Sequence, residues 1–536
     1  MSVVDFDSGT PRAGMTAETE IELKLRADPD GMAVLMASPR LMHASREGKF
    51  RRMHAVYYDT PDLKFYGLGI NFRVREEDGR FIQTVKMSGT RAGAMIREEH
   101  KVEVPSMMPH IDWLSGSAAI GDLGAIAAGD IVEMFKTTYD RLATLVTYHG
   151  RNGRTSLIEI ACDQGTITSR KGDLDISEVE LELLKGDPAA LYELAIELHD
   201  HYPVHVETRS KADRGHDLVS GRWPSWHKSQ KFGLEQDITI DRAMAEVFRR
   251  RFDDWLANEA AAVDGRDPEG VHQVRVALRR LSSALLTFGP YLPAKQLAWL
   301  KTESRWAASS LGPVRDLDVF MTDILEPVMA VRRDDRGLLA LRHRAEEARA
   351  AAYREARGAI ASPRYGRFVL DFGLWLETAA WRTGDEGDRP AGLDNHLLPW
   401  SAQVLDRQYR KIMKLGRKLK SGTDEQRHEL RIAIKKLRYA MEFVPAGFAE
   451  KKVKAFRQDL TQLQDGLGHM NDVALTEARL DHLMAEARSG VSLAELNRAC
   501  GQVLGWCARS ALDSQNEILD IWDRLRDRRP FWREDT

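Results

Sequence analysis

Two short segments of the sequence place charged side chains on alternate residues. The first is Glu20–Lys24 (EIELK), and the second is Glu178–Glu182 (EVELE). Because alternate residues of a β-strand point to the same face, each segment gathers its charges on one side and its apolar residues on the other. Carboxylates hold divalent cations, and cationic side chains hold phosphate groups. The two segments together therefore indicate chemistry on a chain of phosphates.

Other charged residues repeat this alternating spacing. Arg73 and Arg75 share one face of a predicted strand. The charged residues expected on the same inner surface are Lys86, Arg97, Glu99, Arg141, Asp163 and Lys211. An Arg can hold two phosphate oxygens at once, whereas a Lys acts as a mobile point charge. The pattern predicts basic walls for phosphate oxygens beside an acidic site for Mg²⁺ or Mn²⁺.

The elements that position these residues have the period of β-strands from about residue 18 to 215. The predicted strands cover residues 18–26, 53–58, 69–76, 80–87, 95–104, 141–148, 155–162 and 176–184, and the predicted helices cover 29–37 and 188–200. Eight strands with polar residues on one face fit a barrel with a wet interior better than a sandwich with a dry core. We predict an α+β fold that begins with an antiparallel eight-stranded β-barrel, or tunnel.

The second half of the chain has helical periodicity and contains an internal repeat. A linker is predicted at 217–236, and beyond it the period is 3.6 to about residue 528. The segment 272–280 matches 428–436, and 311–316 matches 467–472, both at an offset of 428 − 272 = 156 residues. Two separate motifs at one offset indicate a duplicated unit. This half is therefore predicted to be an all-α domain of two duplicated helical bundles, divided by a polar break near residues 382–392.

Basic residues form stripes on the predicted helices of this second half. One stripe is His272, Arg275 and Arg279 with the neighbouring Arg280, a second is His428, Arg431, Lys435 and Arg438 with Lys436, and a third is Arg407, Arg410, Lys414 and Arg417. An ordinary solvated helix face also carries Lys and Arg, but it usually pairs them with acids one turn away. These stripes are poor in acids, so they favour a surface for polyanions. Each His is either hydrogen-bonded structurally or protonated and facing an anion.

Bulk composition limits the class of protein. The chain has 536 residues, 43% of them hydrophobic and 30% charged, which suggests two to four globular domains. Three cysteines cannot form a disulfide framework for a chain of this size, so a reducing, cytoplasmic location is expected. No signal-peptide pattern and no apolar run of roughly 18 residues is present, so no membrane association is expected.

The order of motifs in the first half resembles the CYTH family, the triphosphate tunnel metalloenzymes. The matching residues are Glu20-x-Glu22-x-Lys24, Tyr57–Thr60, Arg73-x-Arg75, Thr84–Lys86, Arg97-x-Glu99, Arg141, Asp163-x-Gly165, Glu178-x-Glu180-x-Glu182 and Ser210–Lys211. The resemblance covers residues 15–218 and implies a tunnel that binds and hydrolyses or cyclises a triphosphate with a metal. It implies metal ligands at Glu20, Glu22, Asp163, Glu178, Glu180 and Glu182. It implies phosphate contacts from Lys24, Arg73, Arg75, Lys86, Arg97, Arg141 and Lys211, of which Arg73, Arg75, Lys86 and Lys211 are the expected catalytic cations.

The repeat in the second half resembles the CHAD family, named for its histidines in helices. The resemblance rests on His272 and His428 with the basic residues that follow them, and it covers residues 236–530, with copies at about 236–385 and 395–530. The second copy departs at Asn471, where the first has Arg315. The family is associated with inorganic polyphosphate, which suits basic stripes that lack the interleaved aromatic residues usual in nucleic-acid binders. Nucleic acid is not expected as a partner.

These resemblances favour an inorganic triphosphatase that cleaves tripolyphosphate, with a helical domain that binds polyphosphate. Two alternatives remain open at this point. One is another triphosphate enzyme, either a thiamine triphosphatase or a class IV adenylyl cyclase, which would need an apolar pocket at the tunnel mouth. The other is a polyphosphate-binding protein without catalytic activity. Such a protein would need fewer carboxylates than this sequence carries.

Overall fold

The structure is a computed structural model that describes residues 16–37, 49–87, 90–91, 94–110, 130–222, 224–229, 233–385, 387–485 and 492–533. Contacts between residues divide the chain into two units. The first comprises Met1–Ser225 together with Ala361–Thr378, and the second comprises Trp226–Ile360 and Ala379–Thr536. The segment 361–378 thus belongs with the first unit, although it lies within the span predicted for the helical domain.

Ten strands form the sheet of the first unit. They are β1 Thr16–Ala27, β2 Lys49–Asp59, β3 Ile70–Glu77, β4 Arg80–Met87, β5 Thr90–Arg91, β6 Ala94–Val104, β7 Val132–His149, β8 Thr155–Ser169, β9 Gly172–Lys185 and β10 Val204–Val206. All eight predicted strands are confirmed, and the sheet adds the short strands β5 and β10. The largest difference is in β7, which begins at Val132 rather than at residue 141.

The strands pair antiparallel in the order β10-β1-β9-β8-β7-β2-β3-β4-β6-β5. In addition, β1 pairs with β6, so the pairings lead from β1 through β9 and the following strands to β6 and from there back to β1. Eight strands, β1 to β4 and β6 to β9, therefore have a strand neighbour on each side. This tunnel-like arrangement, called the barrel below, turns one face of each strand toward a common interior and confirms the predicted fold class of the first half.

Fifteen helices lie within the part of the chain that the structure describes. They are α1 Pro29–Met36, α2 Lys64–Gly67, α3 Ala189–His201, α4 Lys211–Ser220, α5 Ile240–Asp264, α6 Pro268–Thr287, α7 Ala294–Ser310, α8 Gly312–Val319, α9 Glu326–Val331, α10 Arg336–Ile360, α11 Pro363–Glu377, α12 Leu397–Gly416, α13 Asp424–Ala440, α14 Glu450–Ala485 and α15 Leu493–Asp527. Helices α1 to α4 and α11 belong to the first unit. Two close approaches place α11 there, because Gly366 lies beside His199 of α3 and Gly373 lies against Tyr192.

The helical unit repeats itself at the predicted offset. Helix α6 begins at residue 268 and α13 begins at residue 424, which gives 424 − 268 = 156. The copies differ at one break, since α7 and α8 of the first copy correspond to the single helix α14 of the second. Pro313 lies in the first turn of α8, where its missing N–H costs nothing, whereas the second copy has His469 at this position. The proline explains why only the first copy is broken.

The apolar periodicity of these helices produces buried cores. One core joins Leu437 of α13, Leu460 of α14 and Trp522 of α15. A second core includes Cys507, with Cys500 packed against it. Among the described residues, no helix combines the length and the apolar character that crossing a bilayer requires.

Candidate functional site

A cavity of about 450 Å³ lies inside the barrel. Residues from eight strands and from α4 line it, because alternate side chains of each strand point inward. The charged residues of the lining are Glu22, Lys24, Arg51, Arg73, Arg75, Glu77, Lys86, Lys101, Arg141, Glu159, Glu180, Glu182 and Lys211. The interior is therefore polar, as the sequence predicted.

Three carboxylates meet around one ammonium group at the α4 end of the cavity. Oxygen atoms of Asp163, Glu178 and Glu180 lie within 4.8 Å of one another. The Nζ atom of Lys211 lies 2.6 Å from Asp163 Oδ2 and 3.1 Å from Glu180 Oε1, and it also donates a hydrogen bond to Glu178. The side chains of Asp163 and Glu178 are buried. The Lys211 ammonium thus stands where a cation bound by these three carboxylates would stand.

Three further cations contact the same carboxylates. Arg141 donates to both oxygens of Asp163, at 2.7 and 2.6 Å, and also contacts Glu180. Lys24 Nζ lies 3.0 Å from Glu180 Oε1 and 3.5 Å from Glu178 Oε1. Arg214 of α4 is also hydrogen-bonded to Glu178. This cluster, called the ion-pair cluster below, therefore sets four cationic side chains against three carboxylates.

Glu180 and Lys211 of the cluster are charged at neutral pH despite their burial. Burial alone would raise the pKa of Glu180, but Lys211, Lys24 and Arg141 outweigh it and hold that pKa well below its usual range. Burial would likewise lower the pKa of Lys211, yet Asp163, Glu178 and Glu180 raise it well above the ordinary value. Glu180 and Lys211 therefore keep their charges because oppositely charged partners outweigh the effect of burial.

A second group of carboxylates is next to the cluster. Strand register places Glu22 of β1 opposite Glu182 of β9, and Glu182 opposite Glu159 of β8. All three line the cavity and form the row called the acidic row below. Burial raises the pKa of Glu182, and the negative charges of Glu159 and Glu22 raise it further. A carboxylate such as Glu182, whose pKa neighbouring carboxylates raise, is stabilised by a bound divalent cation, so the residues present fit such an ion.

A basic wall faces the cavity from the other strands. It consists of Arg73 and Arg75 of β3, Lys86 of β4, Lys101 of β6 and Arg51 of β2. Arg75 forms an ion pair with Glu77, and Arg51 lies 4.0 Å from Asp78. Arg73 Nη1 donates to the hydroxyl of Tyr57 at 3.2 Å. The wall offers several guanidinium and ammonium groups to one anion.

Helix α4 places Lys211 by means of its first turn. Ser210 caps the helix, with its hydroxyl accepting from Asp213 N while the Asp213 side chain accepts from Ser210 N. Gly215 lies so close to the Phe135 ring that a Cβ atom would come within 2.2 Å of it. The Ser210–Lys211 motif is thus a helix start that packs against the barrel.

The residues of segment 57–60 have different roles. Tyr57 lines the cavity. The Asp59 carboxylate accepts hydrogen bonds from the backbone N–H groups of Thr60, Phe65 and Tyr66, at 2.7, 3.0 and 3.0 Å. Asp59 therefore organises the turn that leads into α2 and takes no part in the cavity.

Most of the predicted tunnel residues converge. Those that line the cavity are Glu22, Lys24, Arg73, Arg75, Lys86, Arg141, Glu180, Glu182 and Lys211. Asp163 and Glu178 contact Lys211 behind the lining. Glu20 and Arg97 are opposite each other in the β1–β6 register, but their side chains lie outside the described residues.

The sequence analysis did not single out four charged residues of the lining: Arg51, Glu77, Lys101 and Glu159. A signal existed for two of them. Lys101 continues the alternation of Arg97 and Glu99, and Glu159 lies four residues before Asp163 on one strand face. A complete list of alternate positions on each predicted strand would have included both residues.

In the helical unit, the first basic stripe contacts neutral acceptors. Arg275 Nη1 donates to the backbone oxygen of Ala308 at 2.6 Å, and Arg279 Nε donates to the hydroxyl of Tyr439 at 2.6 Å. Burial lowers the pKa of His272 to about 4, with Arg315, Arg279 and Arg275 adding to the effect against Glu269. His272 is therefore neutral at pH 7 in the structure. Arg280 differs from its neighbours, because it lies 3.2 Å from Glu442.

The second stripe lies on α13. Arg431 contacts His428 at 3.4 Å, and Arg438 Nε donates to the Gln464 side chain at 2.9 Å. The side chains of Lys435 and Lys436 are half-buried. Arg438 also lies over the ring of Tyr439, 4.9 Å from its centroid. This stripe too has contacts with uncharged groups.

The third stripe, on α12, is more exposed. Arg407, Lys414 and Arg417 are exposed, and Arg410 is 76% exposed and lies 2.6 Å from Asp406 one turn earlier. That contact is typical of a solvated helix face. The side chains of Asn471 and Asp472, which mark the second copy of the repeat, lie outside the described residues.

A second cavity of about 550 Å³ lies beside α6. Arg275 and Arg279 line it together with Lys301 and Arg305 of α7, and Asp316 adds an acidic group. The sequence analysis did not single out Lys301 or Arg305. Four cationic side chains around one cavity extend the basic character of the first stripe into a concave surface.

Two different domain families match the first and the second half of the chain. The CYTH domain model matches residues 18–216, and the CHAD domain model matches residues 246–481. An inorganic triphosphatase from Haemophilus influenzae is 28% identical over 204 residues, which cover 38% of this chain and 55% of that protein. An uncharacterized protein from Mycobacterium tuberculosis is 25% identical over 242 residues, covering 42% of this chain and 43% of the relative. The chain thus spans about half the length of these curated relatives.

Among solved structures, the CHAD domain from the plant Ricinus communis aligns with a TM-score of 0.49 and 26% sequence identity. The alignment covers 57% of this chain and 98% of the plant domain.

Proposed function

The chain joins a CYTH domain to a CHAD domain, and we propose that it is a metal-dependent inorganic triphosphatase. The proposed substrate is tripolyphosphate, which the barrel would hydrolyse to pyrophosphate and phosphate. The observation that carries the proposal is the division of one cavity into an acidic row and a basic wall. A triphosphate with its divalent cation needs both surfaces at once.

The metal that we propose is Mg²⁺ or Mn²⁺, held by the acidic row. Glu22, Glu159 and Glu182 lie together on adjacent strands, whereas the Lys211 ammonium stands among Asp163, Glu178 and Glu180. We therefore assign Asp163 and Glu178 to positioning Lys211 and Arg141, with Glu180 between the two groups. When bound, the cation would screen the phosphate charge and polarise a phosphorus–oxygen bond.

The chain's own residues supply the remaining functions of hydrolysis. Water attacks the terminal phosphorus in line with the bridging oxygen that leaves. Arg73, Lys86 and Lys211 neutralise the charge that develops on the equatorial and leaving oxygens. Because the ion-pair cluster fixes Lys211 and Arg141 before substrate arrives, these charges need little rearrangement during the reaction.

An inorganic substrate is favoured over an organic triphosphate by the lining of the cavity. The apolar residues of the described lining are Met53, Ala143, Leu145 and Ala212. The Tyr139 ring lies under Lys211, whose Nζ atom is 4.9 Å from the ring centroid, and the Tyr57 ring stacks on Phe135. Tyr57 and Tyr139 are only 3% and 4% exposed, so neither ring offers an open face on which a base or a thiazole could stack.

For the helical domain we propose binding of inorganic polyphosphate in the cytoplasm. The support is the set of guanidinium groups that donate hydrogen bonds to uncharged acceptors, at Arg275, Arg279 and Arg438. A neutral partner fixes an Arg side chain without cancelling its charge, so the charge stays available to a phosphate chain.

Phosphate release from tripolyphosphate, ATP and thiamine triphosphate, each with Mg²⁺, with Mn²⁺ and with chelator, tests the proposal. We expect metal-dependent turnover of tripolyphosphate that exceeds turnover of the organic triphosphates by at least tenfold. A preference for thiamine triphosphate, or formation of cyclic AMP from ATP, would transfer the function to the organic triphosphate enzymes. Binding of polyphosphate without turnover of any triphosphate would identify a binding protein.

Glu180→Gln is the matched variant for this assay, with Glu20→Gln beside it. We expect both to lose turnover while keeping the far-ultraviolet circular dichroism of the unchanged protein. Near-normal activity in both variants would contradict the metal and charge assignments in the barrel.

A further inference from the structure

The charged residues that line the barrel cavity differ in exposure. The side chains of Lys24 and Lys211 are 2% and 6% exposed, whereas those of Glu77 and Arg51 are 24% and 38% exposed. All four residues line the cavity. Glu77 and Arg51 therefore lie nearer to solvent than the two lysines do, and the region around them is called the mouth below.

A tight turn at Asp78 and Gly79 joins β3 to β4 at the mouth. Both residues have a positive φ, 49° and 78°, as in the two-residue turns that suit a β-hairpin. Glu77 is the last residue of β3 and lies two residues after Arg75, so the strand turns both side chains toward the cavity. The turn thus fixes a carboxylate at the mouth, on the face that carries the arginines of the basic wall.

Three arginines around this turn are paired with carboxylates. The pairs are Arg75 with Glu77, Arg51 with Asp78 at 4.0 Å, and Arg80 with Glu103 at 4.0 Å. The pair of Arg75 with Glu77 is the least exposed of the three, so water and salt screen it least. Positive charge at the mouth is thus accompanied by negative charge.

This arrangement affects a phosphate chain in proportion to its length. Every phosphate unit carries negative charge, so each unit that enters the cavity needs a cation nearby. A unit at the mouth would lie against the Glu77 carboxylate or would have to displace it from Arg75. Repulsion between like charges disfavours binding, and specific sites commonly use it to exclude a wrong partner. A chain short enough to stay in the interior avoids this repulsion.

We propose that Glu77 is a specificity-determining residue that limits the length of the polyphosphate substrate; this inference rests on the proposed function. When tripolyphosphate occupies the interior, Glu77 stays paired with Arg75 and clear of the chain. Tetrapolyphosphate or a longer chain places a further phosphate at the mouth, against the Glu77 carboxylate. The barrel therefore selects tripolyphosphate over longer linear chains by the charge at its mouth.

Glu77→Gln tests this role, because it keeps the size of the side chain and removes its charge. Glu76→Gln is the matched control, since Glu76 is the exposed neighbour on the other face of β3. The assay measures phosphate release from tripolyphosphate and from tetrapolyphosphate with Mg²⁺. We expect Glu77→Gln to raise the ratio of kcat/KM for tetrapolyphosphate to that for tripolyphosphate by about tenfold. Glu76→Gln should change this ratio by less than about twofold.

Two further measurements separate the charge of Glu77 from its shape. Glu77→Asp keeps a carboxylate, so its ratio should stay near that of the unchanged protein. Added KCl screens charges at a mouth open to solvent, so it should narrow the difference between Glu77→Gln and the unchanged protein. If Glu77→Asp raises the ratio as much as Glu77→Gln does, or if salt leaves the difference unaltered, shape determines the selection and the proposal is wrong.

The two proposals fail differently. If the unchanged protein hydrolyses no inorganic polyphosphate of either length, the proposed function is wrong and the role of Glu77 falls with it. If it hydrolyses tripolyphosphate and Glu77→Gln leaves the ratio unchanged, only the role of Glu77 is wrong. The unchanged protein also tests the proposal without any variant, because equal kcat/KM for the two chains would overturn it.

Discussion

Three cationic residues of the barrel and three arginines of the helical unit have different kinds of hydrogen-bond partner. In the barrel, Lys24, Arg141 and Lys211 contact carboxylates. In the helical unit, Arg275, Arg279 and Arg438 contact a backbone carbonyl, a phenol and an amide. The first arrangement cancels charge and fixes geometry, whereas the second fixes geometry and leaves the charge.

The difference shows what each surface can do with a phosphate chain. A reaction requires charges at fixed positions, and mutual ion pairing in a buried site provides that rigidity. Binding of a long polyanion requires only a dense positive potential along its path. The partner of each cation is thus more informative about its role than the cation itself.

Loss of the Lys211 ammonium should have the largest effect on the stability and activity of the barrel. In Lys211→Met the buried carboxylates Asp163 and Glu178 lose a partner, so we expect unfolding to be easier by about 3–5 kcal/mol. We also expect phosphate release from tripolyphosphate to fall at least 100-fold. Urea unfolding and the phosphate assay measure the two effects.

The control for this prediction is Arg154→Ala. Arg154 is 75% exposed and lies 3.2 Å from Asp187, so its loss should cost less than about 1 kcal/mol. Equal destabilisation by both variants would show that the ion-pair cluster is no stronger than a surface pair.

Acidic pH should affect the ion-pair cluster and the acidic row differently. The pKa values of Glu178 and Glu180 are lowered in the folded protein, so their contribution to stability is present above the unfolded pKa near 4.5 and is lost as pH falls below it. The pKa of Glu182 is raised, so protons compete with metal at the acidic row already above pH 4.5.

We therefore expect Mn²⁺ affinity to drop several-fold between pH 7.5 and pH 5.5 while the unfolding midpoint in urea stays nearly constant. Titration calorimetry at the two pH values measures the affinity. The drop should be smaller in Glu182→Gln, whose weaker binding no longer depends on that proton. Loss of stability in parallel with metal affinity would mean that both groups titrate together.

Charge reversal in the helical unit should affect binding of long polyphosphate without affecting hydrolysis. We expect Arg275→Glu combined with Arg431→Glu to weaken binding by roughly tenfold and to reduce its salt dependence, because fewer cations meet the chain. Tripolyphosphate turnover should remain within about twofold. Fluorescence polarisation with labelled polyphosphate and the phosphate assay report the two outcomes; a joint fall would show that both functions depend on one site.

The smallest expected effect concerns His272. Its pKa of about 4 reflects burial and the nearby Arg315, Arg279 and Arg275. A bound polyanion would offset these positive charges and raise that pKa, so affinity should increase as pH is lowered from 7.5 toward 5.5, by about twofold to threefold. His272→Gln should flatten this dependence. An unchanged slope in the variant would assign the proton to another group.

Strand alternation made the barrel and most of its lining predictable. Glu22, Lys24, Arg73 and Arg75 lie on the inner face because each strand turns alternate residues inward. The start of β7 was missed, since the segment VEMFKTTYD has too little apolar alternation to indicate a strand. There, pairing with β2 and β8 stabilises the extended chain instead.

Contacts between side chains that are far apart in the sequence could not be predicted from local sequence patterns. The sequence marks Asp163 and Lys211 as a carboxylate and a cation but not as each other's partners. The bonds of Arg279 to Tyr439 and of Arg280 to Glu442 join the two copies of the repeat across 160 residues or more, so no spacing rule predicts them. The proline break at 311–313, by contrast, is readable directly from the sequence.

The assignment of α11 to the first unit has a consequence for the order of synthesis. All ten strands leave the ribosome well before Pro363 is translated. Until then, Tyr192 of α3 lacks the close approach of Gly373, and His199 lacks its contact with the Pro363 carbonyl. A nascent barrel must therefore persist with one face uncovered while much of the helical chain is made. Truncation after residue 225 would make that transient state permanent.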